Sequence, residues 1–157
     1  MAAWQVDFYI IPRRALLSRG TLESSDLHRT PWWATDTLPP DYQTRLGAVA
    51  SVGPSSSAEV QTWGPEDGNR IDVWSENNRV SAMMARVDVR RLDSKFGAAL
   101  LQFVRTANAV LVRSDGLVVE PTIAAYAGAL RNSDAWKFSN DPATQLRKYS
   151  DTDDDDR

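Results

Sequence analysis

A chain of 157 residues, 42% hydrophobic and 25% charged, falls within the size of one domain and can bury a core without staples. Its lack of cysteine excludes disulfides, thiolate metal sites and cysteine nucleophiles, and suits a reducing cytoplasm. The net charge of −3 belongs to the C-terminus: residues 151–157 hold five of the 21 acidic and one of the 18 basic residues, leaving 17 basic against 16 acidic, or +1, for the rest.

Trp4, Val6, Phe8 and Ile10 alternate with Gln5, Asp7 and Tyr9, the period of a strand, and Pro12 ends it. Residues 1–7 hold no basic cluster followed by an apolar run, and no later segment approaches membrane-spanning length. The expectation is a cytoplasmic protein without membrane contact. Residues 15–38 contain Leu16, Leu17, Leu22, His28, Trp32 and Trp33 but no sustained period, which predicts a long, partly packed loop with at most one helical turn. Pro39, Pro40 and Asp41 lead into a helix reaching about Ser51, with Tyr42, Leu46, Val49 and Ala50 on one face. Residues 53–57 read as a linker, 60–63 as a short strand and 64–68 as a turn.

The most informative stretch follows. Residues 70–76 alternate apolar with polar, and Asn77-Asn78 suits the two central positions of a type I′ turn, because Asn tolerates positive φ. A two-residue loop then sets Glu76 opposite Arg79, Val73 opposite Ala82 and Ile71 opposite Met84. The returning strand, 79–90, changes phase: Val80, Ala82 and Met84 share one face, Val87 and Val89 the other. Either a β-bulge near Ala85 and Arg86 realigns them, or the strand is covered on both faces. From Asp93 or Ser94, as cap, the period turns helical through Phe96, Leu100, Phe103, Val104 and Ala107, and Asn108 is the stop.

Residues 109–112 form a strand, Asp115-Gly116 a hairpin turn and 117–119 the return. Pro121-Thr122 opens a helix to about Arg131 whose apolar face is Ile123, Tyr126, Ala127 and Leu130, and Asp141-Pro142 starts a last short helix. Residues 1–150 are thus one domain, and 151–157, a block of like charge without an apolar residue, a disordered tail. The fold class is α+β: a single, mostly antiparallel sheet of about six strands with helices mainly on one face. Local echoes, Val6-Asp7-Phe8 with Val87-Asp88-Val89 and Leu46-Gly47-Ala48 with Phe96-Gly97-Ala98, raise a duplicated βαββ unit against coincidence between amphipathic patterns.

No catalytic signature accompanies this architecture. Neither GxGxxG nor GxxxxGK[ST] occurs, and His28 has no HxxxH or HxH partner, so no metal or cofactor is expected. The basic pairs Arg13-Arg14 and Arg90-Arg91 come without an aromatic RNA-binding signature on a nearly neutral body, which disfavours nucleic acid. With Val6, Phe8 and Ile10 facing helices, Asp7, Tyr9, Trp74, Arg86, Asp88 and Arg90 project from the opposite sheet face. Paired carboxylates can divide into acid and base, but arginines beside Asp7 and Asp88 favour cross-strand ion pairs instead. Trp32 and Trp33, beside the single histidine, are either a binding loop or its packing anchors.

The leading expectation is a non-enzymatic protein-binding domain of inhibitor or immunity type, using the open sheet face and the tryptophan loop. Its partner is another protein or a second copy. The alternative is a small-molecule-binding domain or enzyme using Asp7, Asp88 and Tyr9 in a cleft between two halves.

Overall fold

The alternation of β1 (Gln5–Pro12) sends Val6, Phe8 and Ile10 to one side of a sheet and Asp7, Tyr9 and Ile11 to the other. Both sides are buried, so this strand lies at the centre of the molecule. The computed structural model describes residues 2–19, 22–55 and 57–143. In chain order β1 is followed by α1 (Arg13–Arg19), α2 (Ser24–Arg29), α3 (Tyr42–Val49), β2 (Val60–Trp63), β3 (Arg70–Glu76) and β4 (Arg79–Asp88). Then come α4 (Ser94–Thr106), β5 (Ala109–Arg113), β6 (Val118–Val119), α5 (Ile123–Arg131) and α6 (Asp134–Asn140). The six strands form one antiparallel sheet in the order β2-β3-β4-β1-β5-β6, an α+β fold.

On the first face, Phe8 meets Tyr126 of α5 at 5.8 Å between ring centroids, and α4 packs between α3 and α5. Helix α4 forms where its sequence dictates. Asp93 accepts hydrogen bonds from the backbone N–H groups of Lys95 and Phe96, its apolar stripe buries Phe96, Leu100 and Val104, and Asn108 ends it at φ 51°. Gly97 lets α5 approach, since a Cβ there would stand 3.1 Å from the Tyr126 ring.

The β3–β4 hairpin turns at Asn77 and Asn78, φ 52° and 61°, as a type I′ turn requires, and Glu76 faces Arg79. Beyond that pair the register departs from expectation. Ser75 faces Val80 but Trp74 faces Ala82, so Ser81 is the extra residue of a bulge. Val73 therefore faces Met83 rather than Ala82, and Ile71 faces Ala85 rather than Met84. The bulge lies at Ser81, not near Ala85 and Arg86. It puts Met83, Ala85 and Val87 on the first face and Ala82, Met84, Arg86 and Asp88 on the second. The carbonyl freed at Ser81 accepts the Trp33 backbone N–H at 3.0 Å.

That contact belongs to the largest correction. The second sheet face is not open. The described residues between 13 and 38 hold two short helices rather than a loop, and from α2 onward they roof Tyr9, Ile11 and Met84. A six-residue helix shows no hydrophobic period; α2 forms because Glu23 and Asp26 make a capping box. Helix α6, also unforeseen, starts where the Ser133 hydroxyl accepts the Trp136 N–H.

The strand order does not bear out a duplicated βαββ unit. β4 and β1 pair centrally, as a repeat requires, but β4 is flanked by β3 whereas β1 is flanked by β5, and β6, the counterpart of β3, lies at the edge. The helix expected from Asp141 falls mostly on residues outside the described ones, as does the acidic tail.

Candidate functional site

Strand register assembles the polar groups of the second face. Asp7 is directly opposite Arg86, so the arginine reaches across one strand spacing: Nε donates to Asp7 Oδ1 at 2.8 Å and Nη2 to Oδ2 at 3.4 Å. One strand further out, Asp72 accepts from the Thr62 hydroxyl at 2.8 Å and from Arg70 Nε at 3.2 Å. The hydrogen bond to Asp7 raises the Arg86 pKa beyond its ordinary value, with Asp72 and Tyr9 adding to the effect. Charges removed from water stay there only when matched in this way.

Tyr9 stands two residues along β1 from Asp7, on the same face. Burial pushes its phenol up to about 12; Asp7 adds to the shift and Arg86 opposes it. The hydroxyl therefore keeps its proton at neutral pH, and it is hydrogen-bonded to the His28 ring at the end of α2. The rings meet edge to face, 5.2 Å between centroids and 89° between planes. The lone histidine of the sequence thus has a tyrosine as its partner. Among the described residues, no cluster of His, Cys, Asp or Glu is placed to hold a metal ion.

Between this pair and the β3–β4 ribbon lies a cleft of about 410 Å³, bounded by Asp7, Tyr9, His28, Trp74, Met84 and Arg86. Its space comes from one small residue. Ala82, opposite Trp74 on the β4 side, leaves room beside the indole there, while Val60 stands opposite it on the β2 side. Asp7, Tyr9, Trp74 and Arg86 are brought together here as the alternation implies, while His28 is supplied by the roof, which no local pattern links to the sheet.

The remaining candidates lie elsewhere. Trp32 and Trp33 are 3% and 2% exposed: the Trp33 indole donates to the Ile10 carbonyl at 2.8 Å and Trp32 Nε1 to the Leu27 carbonyl at 3.4 Å. They anchor the roof, and no partner reaches them. Asp88 and Arg90 belong to a separate cluster at the end of β4. The Asp88 carboxylate, 0% exposed, accepts from Arg90 Nη2 at 2.8 Å, from Nε at 3.1 Å and from the Arg90 backbone N–H at 2.9 Å. Arg90 in turn lies 3.9 Å over the Trp4 ring. Arg90 holds the Asp88 carboxyl below the ordinary carboxylate range against the opposing effect of burial. Each carboxylate is thus bound to its own arginine, which leaves no proton-sharing pair of Asp7 and Asp88.

A second concavity, about 360 Å³, separates α4 from α5 on the first face. Leu101, Tyr126 and Trp136 line it, and Leu92 and Ile123 stand on its rim, 51% and 72% exposed. No described helix is long and apolar enough to cross a membrane. In comparisons with known proteins the chain matches no family model, no curated protein and no solved structure.

Proposed function

We propose that the protein is a small-molecule-binding domain whose ligand sits in the cleft over Tyr9 and Arg86. The observation that carries this reading is convergence. Asp7 and Arg86 are 79 residues apart in sequence, yet they line one cleft with Tyr9, Trp74 and His28. Its volume is within the roughly 300–1,000 Å³ of small-ligand sites. Recognition fits better than turnover: Tyr9 holds its proton and Asp7 is engaged by Arg86, so neither of these two is free to act as nucleophile or general base. The cysteine-free composition keeps the cytoplasm as the proposed location.

The test is thermal denaturation of the purified chain against a collection of small polar compounds. A hit should raise the melting temperature of the parent and of a surface control, and lose its effect in Trp74→Ala and Tyr9→Phe. Compounds that protect the parent and both variants equally would place the ligand elsewhere and refute the reading.

A protein partner, as an inhibitor or immunity-type protein would need, is favoured by a different surface. Leu92 and Ile123 expose apolar side chains at the α4–α5 groove, the kind of patch that marks protein contacts. If a second copy is that partner, the chain should elute near twice 17.5 kDa and Ile123→Asp should return it to the monomer position. A parent that is monomeric at every concentration counts against self-association.

A further inference from the structure

We infer that the cleft takes a planar, uncharged ring with hydrogen-bond donors and acceptors on its rim, in the manner of a free nucleobase, rather than an anion or a saturated polyol. This rests on the ligand-binding reading above and narrows it to a chemical class.

The shape of the walls is the first observation. Trp74 is half-buried and lines the cleft from β3, with Ala82 opposite it and Met84 next on the same face of β4. Pro31 lines the cleft from the roof. An indole flanked by Val60 on the β2 side and by an alanine, with no side chain beyond Cβ, on the cleft side leaves ring surface open there, and stacking on such a surface favours a planar ring over a puckered one.

Charge is the second. The lining holds two carboxylates, Asp7 and Glu76, and two guanidinium groups, Arg29 and Arg86. Their formal charges cancel, and Asp7 and Arg86 already satisfy one another at 2.8 Å. A ligand with net charge would be attracted by one pair of these groups and repelled by the other, so the site has nothing to offset that ligand's desolvation.

Unspent hydrogen-bonding capacity is the third. Arg86 uses Nε and Nη2 on Asp7, and among the described residues its Nη1 has no partner. The Glu76 side chain and the Thr30 hydroxyl likewise have no hydrogen-bond partner among the described residues, and both line the cleft. Donors and acceptors are therefore offered together. An anion would satisfy only the first kind and a cation only the second, whereas an amide-type ring edge presents both.

The experiment titrates the full chain with uracil, adenine, 5,6-dihydrouracil and orotate by calorimetry, following indole N–H resonances by nuclear magnetic resonance. Dihydrouracil keeps the hydrogen-bonding edge of uracil but loses planarity, and orotate adds a carboxylate. Uracil or adenine should bind and shift the Trp74 indole signal, with an affinity that hardly changes between low and high salt. Dihydrouracil and orotate should each bind roughly tenfold more weakly than uracil or not at all. Trp74→Ala should weaken binding by a similar factor, and Trp74→Phe, which keeps a stacking face, should restore most of it.

Equal binding of dihydrouracil and uracil would overturn planarity, and tighter binding of orotate would overturn neutrality. If no planar neutral base binds while a saturated or charged compound protects the parent but not Trp74→Ala, the class is wrong and the cleft remains a ligand site. If no compound of any kind perturbs Trp74, Tyr9 or His28, both readings fall.

Discussion

Asp88 shows how a fully enclosed charge is tolerated. Its carboxylate takes three hydrogen bonds from Arg90, two residues on, so the compensation is built locally at the end of β4. The folded protein holds this carboxyl below the value of about 3.9 for a free aspartate. The pair therefore contributes its stability at every pH above that value and loses it as pH falls through the lower, folded one. Arg90 itself faces solvent, which weakens the pair, so Asp88→Asn should cost about 1–2 kcal/mol at neutral pH. Urea denaturation at pH 7 and pH 3 checks this: the gap between variant and parent should narrow on acidification. A gap of the same size at both pH values would show that the cost comes from shape rather than charge.

At the scale of the element, the β3–β4 hairpin combines a tight turn with a bulge four residues from its start. Both Asn77 and Asn78 adopt left-handed backbone, which costs an ordinary L-residue about 1–2 kcal/mol and Asn less. Asn78→Gly should therefore stabilise the protein by about 0.5 kcal/mol, and Asn77→Val should destabilise it by more than about 1 kcal/mol. Both are measurable as shifts of the denaturation midpoint at unchanged slope. Destabilisation by glycine would mean that the Asn78 side chain, not its backbone, matters. The bulge has the wider consequence. By slipping the β3–β4 register one residue at Ser81, it sets Ala82 beside Trp74 and Met84 beside Asp72, and it frees the carbonyl that receives Trp33.

For the whole molecule, the roof decides what the second face can do. From α2 onward the segment covers that face as far as Trp33, which is held by its backbone N–H on Ser81 and its indole on Ile10. Trp33→Ala should cost about 3–5 kcal/mol in global stability, because it removes a buried aromatic and leaves the Ile10 carbonyl with one fewer donor. Amide hydrogen exchange should also quicken around Tyr9 and Met84 before the rest of the sheet. A loss below about 1 kcal/mol would mean that the segment rests on the sheet without being anchored there.

Local patterns in the sequence alone determined the hairpin turn, the capped helix α4 and the alternation that sets Asp7, Tyr9 and Arg86 on one side of the sheet. In each case the deciding contacts lie within a few residues or repeat with the period of the element. Only the tertiary structure decided where the bulge falls, which way Trp32 and Trp33 turn and what covers the polar face. Tryptophan carries both a large apolar surface and a donor, so its composition suits a core and a binding loop equally. The choice was made by a carbonyl of β1, from a part of the chain that no periodicity connects to the roof. The cleft arises for the same reason: its walls come from strands and a helix whose meeting depends on the packing of the whole chain.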